Sequence, residues 1–132
     1  MPFAPTALAL ILPDGVARYV GLLTAQPDVV AGTYAELADS EYVRVTHDAW
    51  VDLDLGDGLG ARANDGAIAF PGVVDDDTTI SHWAIFDAAV AGNMLAVGPL
   101  LNLAGEPEPQ LVATNVQPRL NDGELRLLTE AL

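Results

Sequence analysis

Apolar and polar positions alternate along this chain in short runs, and turn-forming residues separate the runs at close intervals. Trp50-Val51-Asp52-Leu53-Asp54-Leu55 is the plainest case. Val51, Leu53 and Leu55 fall on one side and Asp52 and Asp54 on the other, as in a strand with one face in a core. Tyr42-Val43-Arg44-Val45-Thr46 sets Val43 and Val45 on one face in the same way. The run from Ile80 to Phe86 alternates less cleanly, which is expected where both faces of a strand are covered. Between the runs stand Pro13-Asp14-Gly15, Gln26-Pro27-Asp28, Gly56-Asp57-Gly58, Asn64-Asp65-Gly66, Pro71-Gly72, Gly92-Asn93 and Asn121-Asp122-Gly123. Turn chemistry at this spacing predicts an all-β, single-domain antiparallel sandwich or barrel. Strands are expected over 7–12, 18–25, 42–47, 50–55, 67–70, 80–88, 94–100, 110–115 and 124–129.

Two segments pull against this pattern. Thr33 and Glu36 have the spacing of a capping box and could open a short helix before Tyr42. Asn121 and Glu124 share that spacing, and the residues after them are good helix formers. Propensity makes the C-terminal segment a helix, whereas the all-β context makes it a last strand; both readings stay open. The apolar stretch 80–103 contains His82, Asp87, Asn93 and Asn102 and reads as two strands and a hairpin, not a membrane span. Residues 1–12 lack a basic leader and are interrupted by proline, so a signal peptide is not expected.

With 132 residues, 51% of them apolar, the chain has material for one core, so residues 1–132 are read as one domain. Charge adds exclusions. Nineteen Asp and Glu stand against five basic residues, all of them Arg, for a formal net charge of −14. Nucleic-acid binding needs clustered cations to neutralise phosphates, and no such cluster exists, so neither nucleic acid nor anionic membrane is an expected partner. Cysteine is absent, which removes disulfides and thiol chemistry.

Candidate chemistry is sparse. Asp52, Asp54 and Asp57 suggest a calcium loop, but the fifth and twelfth positions are Gly56 and Ala63 rather than oxygen ligands. Asp75-Asp76-Asp77 is a charge run that solvation explains, with a weak divalent site as the other reading. Ser81, His82 and Asp87 are the residue types of a catalytic triad, yet neighbours on a strand point to opposite faces, and no nucleophile elbow frames the serine. Gly56-Asp57-Gly58-Leu59-Gly60 lacks the Gly-Lys-Ser/Thr ending of a phosphate loop. No catalytic, metal or cofactor-binding residues are assigned, and an enzyme is not expected. The uncharged segment from Phe3 to Leu12, flanked by prolines, is either the first strand or an arm over residues 1–14 that adds to a neighbour, with Phe3, Leu8, Leu10 and Leu12 as contacts.

Several segments in order resemble a known group. Arg18-Tyr-Val-Gly-Leu-Leu-Thr-Ala-Gln-Pro-Asp28, Gly32-Thr33, Glu41-Tyr-Val-Arg-Val45 and Ile68-Ala-Phe-Pro71 are followed by Ile80-Ser-His-Trp-Ala-Ile-Phe-Asp-Ala88, Gly92-Asn-Met-Leu95 and Gly98-Pro-Leu100. The series is similar to tailed-bacteriophage virion surface proteins labelled head-decoration (cement), minor structural or tail-fibre proteins. The resemblance implies a β-sandwich of jelly-roll type with no catalytic residues. It departs at the acidic, Gly-rich insert 52–64 and at Glu106-Pro107-Glu108-Pro109, two loops where a partner could be read. Asp57, Leu59 and Arg62, with Asp75, Asp76 and Asp77, are the candidate partner-reading residues.

The resemblance makes a capsid decoration protein the leading expectation, sited on the outer head surface of the virion. Such a protein binds across subunit joints by burying apolar area, at about 25 cal/mol per Å². Its partners would be the major capsid protein and further copies of itself, as a trimer. The alternative is a tail or fibre component that binds a host receptor through its loops.

Overall fold

The computed structural model describes residues 12–13, 15–28, 30–56, 59–102 and 106–128. β1 (Arg18–Leu23) shows why the sheet is built as it is, because its apolar residues are needed on both sides. It lies between β2 (Val45–His47) and β7 (His82–Phe86), and β8 (Met94–Pro99) completes an antiparallel sheet of order β2-β1-β7-β8. The register sets Val20 opposite Ile85 and Leu22 opposite Trp83, and these four side chains enter the main core. Tyr19, Gly21 and Leu23 point the other way, where Leu23, Ala84 and Phe86 form a second buried cluster against Tyr34, Met94 and Val97. β1 and β7 are therefore covered on both faces, as the irregular alternation of 80–86 predicts.

The main core is closed from the other side by residues of three further sheets. These are β11 (Arg126–Leu128), β4 (Leu59–Asn64) and β3 (Trp50–Gly56) in that order, β10 (Arg119–Leu120) with β5 (Ile68–Ala69), and β6 (Thr78–Ile80) with β9 (Gln110–Val112). They contribute Trp50, Ile68, Ile80, Val112, Leu120 and Leu127, joined by Leu12, Phe70 and Leu125 from connecting segments. The architecture is all-β and antiparallel, with no helix among the described residues. Gly98 faces Trp83 across β7 and β8, where a Cβ would come within 2.5 Å of the indole. Glycine is what lets that ring lie flat on the sheet.

Several expectations are corrected. The strand expected over 80–88 is broken at Ser81, because β6 and β7 belong to different sheets and the chain crosses between them there. Ser81 N donates to Leu23 O and Leu100 N donates to Ser81 O, so the break is itself hydrogen-bonded. β3 departs from its predicted face at its start, whereas further along Leu53 is half-buried between the exposed Asp52 and Asp54, as the alternation predicts. Trp50 enters the core and Val51 is 38% exposed, on the face it shares by register with Ala63. The large aromatic is taken into the core at the start of the strand, and the exposed Asp52 reaches Arg62 at the sheet's margin.

The insert 52–64 is not a bare loop, since β4 forms the middle strand of its sheet. Its small residues suit close packing, with Ala61 and Ala63 buried. Thr33 and Glu36 open no helix. Each makes an isolated antiparallel bridge, Thr33 with Asp28 and Glu36 with Leu23. Val43 is exposed and Val45 alone packs toward the core. At the C-terminal end Arg126–Leu128 is a strand, which settles the open choice over those residues. The first predicted strand lies outside the described residues except at Leu12, which is in a bend.

Candidate functional site

The residues singled out in the sequence do not come together. Phe3, Leu8, Leu10 and Asp57 lie outside the described residues. Leu12 is fully buried in its own chain's core, so its side chain is closed to a neighbour. Leu59 opens β4 rather than a loop. Arg62 also sits in β4, 7% exposed, donating from Nε to Leu12 O at 2.7 Å and from Nη1 to Asp52 at 3.0 Å. It is an internal tie between a strand and the entering chain, not a reader of partners. Asp75 accepts from Ser40 Oγ at 2.6 Å, while its backbone N–H donates to Asp39. Asp77 accepts from the backbone and hydroxyl of Thr114, which hold its carboxyl below the usual range. Asp76 between them is exposed. Among the described residues no three His, Asp or Glu converge as metal ligands.

Ser81 and His82 are closer than strand geometry predicts. Ser81 Oγ lies 2.7 Å from His82 Nδ1, because Ser81 stands in the break and not on the strand. Burial lowers the His82 pKa from its ordinary value. Asp87 is beyond the other end of β7, where the Asn93 backbone and side chain bind its carboxylate and lower its pKa. The three do not form a triad.

Two clusters missed in the sequence are built at the two ends of β8. The first lies by the turn between β7 and β8. Arg44 donates from Nε and Nη2 to the two oxygens of Glu36, each at 2.9 Å, and from Nη1 to Ala88 O and Ala91 O. Its guanidinium carbon is 3.5 Å from the centre of the Phe86 ring. Tyr42 donates its hydroxyl hydrogen to Glu36 and accepts from Leu22 N. Burial first, and then the Glu36 bond, push the Tyr42 phenol far above its ordinary value, so it remains a donor. For Arg44, burial acts downward, but Glu36 outweighs it and raises the pKa. Gly21 makes this packing possible, since a Cβ there would meet Phe86, Glu36 and Tyr42 at 2.8–3.0 Å.

The second cluster surrounds an open cleft of about 320 Å³ beyond the other end of β8. One wall is the segment after β8. Leu101 bridges to Pro107, Asn102 N donates to Glu106 O, and Asn102 Oδ1 accepts from Glu106 N. This presents Glu108 beside Gln110, the first residue of β9. The other wall is the turn 121–124, in which Gly123 takes a φ of +74°. Glu124 accepts from the backbone and the side chain of Asn121, which is the return half of a capping box. Glu124 N donates to the Asn121 backbone carbonyl as in a turn, and no helix follows. Gln110 Nε2 donates to Glu124 across the cleft at 2.8 Å, and Arg126 Nε donates to Gly123 O.

Asn64, fully buried at the end of β4, fixes that second wall. Its Nδ2 donates to Gly66 O and Asn121 O, and its Oδ1 accepts from Leu125 N. Gly123 N donates to Asn64 O. The sequence shows Asn64 only as the start of an Asn-Asp-Gly turn. Asp122 joins the same junction by accepting from Gly66 N at 2.9 Å. The Glu106–Pro109 wall was visible in advance as a departure from the phage pattern; the 121–126 wall was hidden by its helix-like spacing.

The model of the podophage GP4 fiber I protein gp80 family matches residues 10–108, which is 99 of the 132 residues. The chain belongs to that family. As a member of the podophage GP4 fiber I protein gp80 family, it is a structural protein of the phage virion. The gp80 match takes in both β1 and β7, the Arg44 cluster and one wall of the cleft. Gln110 and the 121–126 wall lie after the matched residues. No curated protein matches the chain.

Proposed function

We propose that this protein is a component of the phage's tail fibre apparatus and meets the host surface by binding, without catalysis. The observation that carries this reading is the gp80 fibre-family match across β1 to β8 and the loop beyond. The cleft supports it, since loops held on a rigid sheet are where recognition is usually placed. Among the described residues no third group orients Ser81 and His82, which supports a binding role over hydrolysis.

Head decoration, with the major capsid protein and two further copies of this chain as partners, is the second reading. It rests on small size, acidity and a single β domain, and the fibre family favours the first over it. Cryo-electron microscopy of the particle, with mass spectrometry of separated heads and tails, tests the choice. The expected result is density and peptides with the tail. Protein distributed over the head lattice and absent from tails would overturn the fibre reading.

A further inference from the structure

The cleft lined by Leu101, Glu108, Gln110, Asp122, Glu124 and Arg126 has hydrogen-bonding capacity that the fold does not use. Arg126 spends Nε on Gly123 O, while its two terminal nitrogens have no partner among the described residues. Gln110, a lining residue, uses its amide nitrogen on Glu124, and its side-chain oxygen has no partner among the described residues. Glu108 uses its backbone N–H on Leu100 O and leaves its carboxylate unpaired among the described residues. Asp122 engages one oxygen with Gly66 N. Meanwhile the groups behind these are fixed, because Glu124 is held by Gln110 and Asn121, and the turn is anchored on Asn64.

We propose that this cleft binds a neutral saccharide, an inference that rests on the fibre reading above. The chemistry of the lining selects the ligand class. Neighbouring hydroxyls on a sugar ring each donate and accept, so they suit a site that mixes a guanidinium fork with carboxylate and amide acceptors. A purely apolar ligand is disfavoured because about half of the lining is polar and carries charged side chains. A sugar ring, with hydroxyls on its rim and C–H groups on its faces, matches such a mixed wall. An anionic ligand meets Glu108, Asp122 and Glu124 around a single Arg, on a chain of net charge −14. A cationic peptide would be drawn to those carboxylates but opposed by Arg126, which lies on the same wall as Asp122 and Glu124. At about 320 Å³ the cleft is at the small end of ligand sites, which span roughly 300–1,000 Å³, so it suits one or two sugar rings.

The test is an amide NMR titration of the full chain with D-glucose, D-galactose, D-mannose, L-rhamnose and N-acetyl-D-glucosamine, beside a polylysine titration. The expected result is saturable shifts at Gln110, Gly123 and Arg126 with at least one sugar. Arg126→Ala should weaken that sugar about tenfold, which equals about 1.4 kcal/mol. Glu108→Gln, on an exposed side chain, guards against a folding artefact and should weaken it too. Shifts with polylysine and none with any sugar would overturn the proposal in favour of a basic protein partner. No shift with either would overturn it as well. Host-cell binding by the chain separates the two levels. Binding unaffected by Arg126→Ala keeps the fibre reading and removes the cleft, whereas sugar binding by a head-located protein removes the fibre reading alone.

Discussion

Arg44 and Arg126 are both arginines set among carboxylates and backbone carbonyls near the ends of β8, and their circumstances differ in an instructive way. Arg44 has its side chain 4% exposed, with Nε and both terminal nitrogens engaged, and its face lies on Phe86. Arg126 is half-buried and spends one nitrogen on its own turn. The same residue type is a rivet in one place and an open hand in the other. What separates them is how many donors the fold itself consumes, and donors left unspent in a cleft mark availability for a ligand.

The comparison breaks if Arg44 proves dispensable. Replacing Arg44 by Ala leaves the Glu36 carboxylate with the Tyr42 hydroxyl but without its cation, and the Ala88 and Ala91 carbonyls without the Arg44 donor. The expected loss is about 3 kcal/mol or more in urea unfolding. Arg44→Lys should recover little, since an ammonium cannot make the two-pronged contact with Glu36.

Next in size is Asn64→Ala. It strips partners from Gly66 O, Asn121 O and Leu125 N, and should cost about 2 kcal/mol by the same measurement. It should also broaden the amide signals of residues 121–125, because their anchor is gone. Gly98→Ala drives a methyl into Trp83 and should cost roughly 1–3 kcal/mol, with a change in indole fluorescence. Arg126→Ala, by contrast, should shift stability by less than about 1 kcal/mol while weakening cleft binding about tenfold. Equal destabilisation by Arg44→Ala and Arg126→Ala would erase the distinction.

The smallest effect is on pH dependence. Asp77 and Asp87 are held below the usual carboxylate range by Thr114 and Asn93. A lowered carboxyl stabilises the fold above its unfolded pKa and loses that contribution as pH falls through the folded value. His82, lowered by burial, favours the neutral fold above its ordinary value near 6.5 and loses that contribution on further acidification. Thermal unfolding followed on acidification should therefore decline first through His82 and later through the two aspartates. Asp77→Asn with Asp87→Asn should flatten the second decline and leave the first. A double variant whose curve overlays the unaltered protein would refute the assignment.

The strands and turns were largely legible in the chain, because a period of two and frequent Gly, Asn, Asp and Pro report directly on local backbone preference. What escaped was decided by tertiary packing. The acidic, Gly-rich insert 52–64 reads as a loop, yet the small residues of its second half, Gly60, Ala61 and Ala63, are what a strand between two others requires. The Asn121 and Glu124 spacing encodes one half of a capping box, the bond from Asn121 N to Glu124, but the residues that follow pair with β4 instead of winding into a helix. Trp50 outranked Val51 for the core, a contest between a large ring and a regular pattern. The cleft was half visible. Its Glu106–Pro109 wall differed from the family pattern, whereas Arg126 and Asn64 gave no local sign, since one is an ordinary strand residue and the other an ordinary turn residue until the chain brings them near each other.

The anchoring of the 121–125 turn on Asn64 has a mechanical side. A virion tethered to a moving cell pulls on whatever grips the ligand, and here the grip would be the turn leading into β11. That tension passes sideways through the Asn64 amide and the Gly123 N–H into β4, the strand flanked by β3 and β11. The load is thereby spread over several transverse hydrogen bonds acting in parallel, rather than unzipping the three-residue β11 one pair at a time.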